Sequence, residues 1–140
     1  MSKNISVIED LIDLVPTSPF SISLDNQKEQ KNTLILSESL SFQESDELNK
    51  SEEITLYSAD IKLYLEADAE FADFNSIHTL LKSFYDNVRE YEGSWYKDKY
   101  IFEVKQNGLF GYLGRDKQGL YCFSCNFRVR YYIKGGLSDE

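Results

Sequence analysis

Residues 120–134 read LYCFSCNFRVRYYIK, and their side chains separate into two sets at a period of two. One set is Tyr121, Phe123, Cys125, Phe127, Val129, Tyr131 and Ile133, and the other is Cys122, Ser124, Asn126, Arg128, Arg130 and Lys134. This alternation predicts a β-strand with one dry face and one wet face. At ~3.3 Å per residue the strand would run roughly 45 Å, beyond the usual strand length. We therefore expect part of it to pair with, or lean on, another molecule.

Other segments alternate in the same way. Residues 57–66 predict a second long strand, and residues 20–24 and 33–36 predict two short ones. Residues 100–104 and 109–113 predict two more strands, separated by a tight turn at Asn107 and Gly108 and followed by a turn at residues 115–119.

Two segments have helical periodicity. Asp73 or Asn75 can cap a helix whose apolar stripe runs to Tyr91, with Gly93 as its stop. Near the N-terminus, Ser6 and Glu9 have capping-box spacing before a short amphipathic helix.

The stretch from 37 to 53 consists almost entirely of Ser, Glu, Asp, Asn and Lys. Such a stretch buries too little apolar surface to offset its ordering entropy, so it predicts a mobile acidic loop that folds only against a partner. The expected fold is a single α+β domain over residues 1–140. It has a mainly antiparallel sheet, one long helix packed on one face, a short N-terminal helix and this loop.

Charge and composition exclude several classes of protein. Of the net charge of −9, residues 1–60 contribute −8, an excess that disfavours nucleic-acid binding by bulk charge. Two cysteines do not make a secreted disulfide framework, and no apolar run has transmembrane length. The N-terminus also lacks a basic start before an apolar stretch. We expect a soluble protein made in the cytoplasm, with no membrane contact.

No motif predicts a catalytic, metal or cofactor site. Cys122 and Cys125 have the spacing of a metal or redox pair, but residues three apart on a strand point to opposite faces. We expect Cys125 to be buried and Cys122 partly exposed. His78 is expected at the surface, and the glycines at 108, 111 and 114 are expected in turns or close approaches, because strands flank them on both sides.

Arg128, Arg130 and Lys134 form a basic strip on the wet face of the last strand. One interpretation is an ordinary solvated face. The other is contact with the acidic loop of a neighbouring copy, because the two segments carry opposite charge.

Residues 111–130, GYLGRDKQGLYCFSCNFRVR, resemble the C-terminal hairpin of the minor capsid and tail terminator proteins of long-tailed phages. The shared pattern is a Gly-Arg-Asp turn, a glycine and a returning strand of alternating aromatic and polar residues. It falls here on Gly114, Arg115, Asp116, Gly119, Phe123, Ser124, Asn126 and Phe127. The order of the upstream helices and strands is also similar, whereas the two cysteines and the acidic loop depart from the family pattern.

The resemblance implies a structural virion protein without enzymatic activity. It implies a ring of six copies at the head-proximal end of the phage tail, assembled in the host cytoplasm. Its partners would be the tail tube protein, the head-tail connector protein and, in a contractile tail, the sheath protein. The subunit interface is assigned, as a hypothesis, to Arg115, Asp116, Arg128, Arg130 and Lys134.

Two rival functions stay open at this point. The chain could be a phage-encoded acidic inhibitor that binds a host protein by mimicking nucleic acid. It could also be a small thiol or metal protein that uses Cys122 and Cys125.

Overall fold

The computed structural model describes residues 5–24, 30–45 and 54–133. The helices are α1 (Ile8–Leu11) and α2 (Phe74–Arg89), with 3₁₀ turns at Ile12–Leu14 and Ala69–Phe71. The strands are β1 (Ser21–Leu24), β2 (Thr33–Ser45), β3 (Ile54–Ala67), β4 (Ser94–Tyr96), β5 (Lys99–Arg115) and β6 (Tyr121–Ile133).

All six strands belong to one sheet in the order β1-β2-β3-β6-β5-β4, which curls into a half-barrel. β1 and β2 run parallel, and the other neighbours run antiparallel. The sheet is therefore mixed, with four antiparallel pairs, as expected, and one parallel pair. The parallel pair consists of the two short strands expected from the sequence at residues 20–24 and 33–36.

β6 is the predicted amphipathic strand, but it lies in the middle of the sheet. β3 pairs with it along one side, from Tyr121 to Tyr131, and β5 pairs with it along the other, from Tyr121 to Ile133. The expectation that part of this strand must pair with another molecule is wrong, because both of its edges are satisfied within the chain. Lys134 lies outside the described residues.

β2 occupies the first half of the predicted acidic loop. Residues 37–45 continue the strand that begins at Thr33 and pair in register with β3 as far as Ser45 and Ile54. A polar segment becomes ordered here because the amphipathic strand β3 supplies a continuous ladder of backbone partners. The rest of the predicted loop, residues 46–53, lies outside the described residues.

β5 runs straight through the position of the predicted tight turn. Its register against β6 shifts between Gln106 and Phe110, so Asn107 and Gly108 lie in a β-bulge. Gly108 has φ +115°, and a Cβ added there would lie 3.2 Å from the Cβ of Asn126. The position therefore demands glycine for both its backbone conformation and its close approach to β6.

α2 packs on the dry face of the sheet. Asp73 caps the helix by accepting a hydrogen bond from the Ser76 amide at 3.4 Å, as one of the two expected caps. Its buried side chains are Ile77, Leu80, Leu81, Phe84 and Val88, and the Phe84 ring meets Phe127 of β6 with centroids 5.5 Å apart. At ~1.5 Å per residue the 16-residue helix is ~24 Å long, well short of the strands beneath it. The expected long helix is thus a short one that covers only part of the face.

The N-terminal helix is shorter than predicted. α1 has four residues, and the residue at its N-cap is Val7, which makes no side-chain cap. Instead the Glu38 carboxylate of β2 accepts hydrogen bonds from the Val7 and Ile8 amides at 3.1 and 3.3 Å, and from the Ser6 hydroxyl. The sheet itself therefore satisfies the donors at the start of this helix.

A buried ion pair holds the same N-terminal segment from the other side. Lys99, at the start of β5, is only 2% exposed, and its Nζ lies 2.6 Å from Asp10 and 3.1 Å from Asp98. The Tyr96 hydroxyl also donates to the Asp10 carbonyl at 3.1 Å. Together with Glu38, these contacts hold Val7, Ile8 and Leu11 in the core.

Candidate assembly surface

Among the described residues, the sheet has two long unpaired edges, one on each side. β1 pairs with β2 only from Thr33 to Leu36, and β4 pairs with β5 only from Lys99 to Ile101. Within the described ranges, no strand pairs with the outer side of residues 37–45 of β2 or of residues 102–115 of β5. We call these the β2 free edge and the β5 free edge. At ~3.3 Å per residue they extend roughly 30 Å and 45 Å.

Unpaired edges present backbone N–H and C=O groups that can accept another strand. The β2 free edge carries serines and an exposed Leu40. The β5 free edge is partly protected, because the Glu92 carboxylate accepts the Val104 amide hydrogen bond at 2.9 Å and because three bulges interrupt its register against β6. Bulges restrict which strand geometry can add to an edge.

Exposed apolar side chains follow the β5 free edge. Leu109 is 62% exposed at the bulge, and Tyr112 and Leu113 are more than 40% exposed. A run of exposed apolar side chains beside an unpaired edge is typical of a surface that another protein covers.

An aromatic row crosses the wet face at the β4 end of the sheet. Trp95, Tyr100 and Tyr132 are directly opposite one another on β4, β5 and β6, with ring centroids 5.4 and 6.5 Å apart. Phe102 extends the row, 6.1 Å from Tyr132, and both Trp95 and Phe102 are about half exposed. Cross-strand aromatic pairs stabilise a sheet, and exposed Trp and Tyr are common in protein interfaces.

Arg128 and Arg130 of the predicted interface make ion pairs inside the chain. Arg128 Nε lies 2.8 Å from Asp60 of β3, and Arg130 lies 3.5 Å from Glu103 of β5. The hydrogen bond with Asp60 raises the pKa of Arg128 above its ordinary value. Asn107 of the bulge donates to the same Asp60 oxygen at 2.9 Å. The strip thus has internal counter-charges that were not apparent from the sequence, because they come from two other strands.

Arg115 and Asp116 lie in the turn between β5 and β6. Asp116 accepts hydrogen bonds from the Gln118 and Leu120 amides, both at 2.9 Å, and the Arg115 guanidinium lies 5.5 Å from the centre of the Tyr121 ring. Gly119 closes the turn with φ +86°. The Gly-Arg-Asp signature therefore has a local role in building this turn, and its role between subunits stays a prediction.

The two cysteines point to opposite faces, as expected from their spacing. Cys125 lies in the core with its Sγ 3.7 Å from the Leu81 carbonyl, and burial raises the pKa of its thiol to about 12. Cys122 is 7% exposed, so the expectation of partial exposure is wrong.

The surroundings of Cys122 explain its burial. Cys122 lies directly opposite Glu66 of β3, and the sulfur and one carboxylate oxygen each of Glu66 and Asp116 lie within 4.8 Å of one another. The Tyr64 hydroxyl donates to Glu66 at 2.8 Å, and burial, together with hydrogen bonds to Cys122 and Glu66, raises the pKa of Tyr64. Glu66 is distant in the sequence from Asp116 and Cys122. The sequence indicated only that Glu66 and Cys122 lie on the wet faces of their strands, and it did not indicate that they are neighbours.

No known protein-family model and no curated protein matches this chain. In the part of the chain that the structure describes, no helix has both the length and the apolar character needed to cross a membrane.

Proposed function

We propose that this protein is the tail terminator of a long-tailed phage or of a phage-tail-like particle. It acts as a ring on the last layer of the tail tube and stops further polymerisation of the tube. It makes and breaks no covalent bond. The proposal rests on the resemblance of residues 111–130 and on one structural observation, the pair of free edges on opposite sides of the sheet.

The positions of the free edges favour a ring over a two-fold dimer. A two-fold contact would pair β2 with β2 or β5 with β5, and would leave the other edge unpaired in both copies. A contact between the β5 free edge of one copy and the β2 free edge of the next uses both edges in every copy. Such a heterologous contact generates a closed ring when its rotation closes.

The remaining features follow from the resemblance. It implies six copies, with the tail tube protein on one face of the ring, the head-tail connector protein on the other and the sheath protein outside a contractile tail. The aromatic row is a candidate surface for one of these partners, since it lies on the wet face, away from α2.

Electron microscopy and native mass spectrometry test this proposal. The purified protein should form rings, either alone or when tail tubes are added. Leu109→Asp, which places a charge beside the β5 free edge, should give a folded chain that no longer assembles. Phe71→Asp is the matched control, because Phe71 is also exposed, at 49%, but lies in the 3₁₀ turn after β3. A wild-type chain that stays monomeric with tubes present, or a Leu109→Asp chain that still assembles, would refute the proposal.

A further inference from the structure

Three oxygen and sulfur ligands meet on the wet face of the sheet. Glu66 and Cys122 are opposite each other on β3 and β6, and Asp116 comes from the turn that joins β5 to β6. One ligand atom from each lies within 4.8 Å of the others. Glu66 is 8% exposed and Cys122 is 7% exposed, whereas Asp116 is half-buried.

In the part of the chain that the structure describes, the two carboxylates have no cationic partner. Among the described residues, neither Glu66 nor Asp116 forms an ion pair with a lysine or an arginine. The nearby Arg115 and Lys62 instead lie against the rings of Tyr121 and Tyr64. A buried carboxylate such as that of Glu66 is normally paired with a cation or coordinates a metal ion.

The hydrogen bonds around the cluster leave an acceptor oxygen on each of the two carboxylates. Asp116 uses Oδ1 for the Gln118 and Leu120 amides, and no described group donates to its Oδ2. Within the described ranges, the Glu66 carboxylate accepts from the Tyr64 hydroxyl at Oε2, and no described group donates to its Oε1. Contacts of this kind orient a ligand while leaving one oxygen for a metal.

We propose that Glu66, Asp116 and Cys122 bind a zinc ion. A thiolate with two carboxylates suits Zn²⁺, which accepts sulfur and oxygen ligands, whereas Mg²⁺ and Ca²⁺ take oxygen ligands only. Zn–S and Zn–O bonds of about 2.3 and 2.1 Å fit ligand atoms at these separations with small side-chain rotations. Binding displaces the Cys122 thiol proton to solvent, and the fourth position of the tetrahedron is left for water.

The ion would fasten the β5–β6 turn to β3. Asp116 is the ligand from the turn, and the other two ligands are fixed by the sheet. Binding energy gained only in the folded state adds to stability, so zinc should raise the unfolding temperature.

Cobalt substitution tests the site directly. Protein treated with a chelator should bind one Co²⁺ per chain, with a near-ultraviolet charge-transfer band from thiolate to cobalt, and one Zn²⁺ should displace it. Cys122→Ser should abolish the band and weaken zinc binding at least tenfold. Cys125→Ala is the matched control and should keep the band. No metal uptake, or a band that persists in Cys122→Ser, would overturn the proposal.

Two further variants keep the test decisive if Cys122→Ser does not fold. Asp116→Asn keeps an oxygen that can accept the turn hydrogen bonds, so the variant should fold. It lacks the carboxylate, so it should bind zinc at least tenfold more weakly than the wild type. Tyr64→Phe should keep the band and weaken zinc binding roughly 10- to 100-fold, the usual effect of losing an outer partner of a metal ligand. Unchanged zinc affinity in Asp116→Asn would contradict the assignment.

Discussion

The ion pair of Lys99 predicts an asymmetric response to mutation. In Asp10→Ala, the Lys99 ammonium stays in place, 2% exposed, and loses the partner at 2.6 Å. Removing one partner of a buried ion pair costs about 3–5 kcal/mol, because the remaining charge is left without compensation. Asp98 still lies 3.1 Å away and is 39% exposed, so we expect the lower end of this range, about 3 kcal/mol.

Removing the cation instead should cost much less. In Lys99→Met, a side chain of similar length fills the buried volume without a charge. Asp10 and Asp98, which are 19% and 39% exposed, can then be hydrated. Replacement of buried ionic groups by apolar side chains of similar volume is often neutral or stabilising, so the expected loss is below about 1 kcal/mol.

Urea unfolding followed by circular dichroism measures both values, provided that the two variants keep the wild-type dependence on denaturant. At about 4 °C per kcal/mol for a domain of this size, Asp10→Ala should lower the melting temperature by about 12 °C and Lys99→Met by less than about 4 °C. A Lys99→Met variant at least as unstable as Asp10→Ala would refute the reasoning, since the unpaired buried charge would then not be the source of the loss.

Two other predictions concern Cys125 and Arg128. Because burial raises the pKa of Cys125 from 9.0 to about 12, an alkylating reagent at pH 8 should label it only after unfolding, as mass spectrometry would detect. Labelling of the native thiol as fast as in urea would contradict this burial. Between pH 9.0 and about 12 only the unfolded chain releases the thiol proton, so Cys125 should lower the free energy of unfolding by up to about 1.4 kcal/mol for each unit of rising pH. Arg128→Glu should lower the melting temperature more than Arg130→Glu, because Arg128 lies 2.8 Å from Asp60 whereas Arg130 lies 3.5 Å from Glu103. Equal decreases in melting temperature would count against a structural role of the ion pair between Arg128 and Asp60.

The alternation in residues 120–134 predicted a strand and its dry face correctly, but not its neighbours. Phe123, Cys125 and Phe127 are buried as the pattern indicated. Side-chain periodicity reports which face of a strand is covered and says nothing about what lies along its edges. The position of β6 between β3 and β5 depends on pairings between distant segments, which no local pattern contains.

In two segments, pairing with a neighbouring strand outweighs the local conformational preference of the residues. The composition of residues 37–45 favours a loop, yet β3 holds them as a strand through its backbone. Asn107 and Gly108 favour a tight turn, yet the chain continues past them because β6 offers partners on both sides of the bulge. In each case a neighbouring strand contributes more than the intrinsic preference of the residues.

Only some features of the candidate sites could be predicted from the sequence. The opposite directions of Cys122 and Cys125 followed from strand geometry alone. The cluster of Cys122 with Glu66 and Asp116 did not, because it requires the register of β3 against β6 and the path of the turn. The free edges also became visible only once the short pairings of β1 and β4 were known.

The placement of β6 beside β3 has a consequence for the folding kinetics of the chain. β2 with β3, and β5 with β6, are pairs of strands that follow each other in sequence, so each pair can form early as a local ribbon. The junction between the ribbons brings Ile61 opposite Phe127 and must close a long loop that includes α2. Folding is therefore expected to be limited by the docking of two ribbons along this junction, as in other topologies dominated by distant contacts.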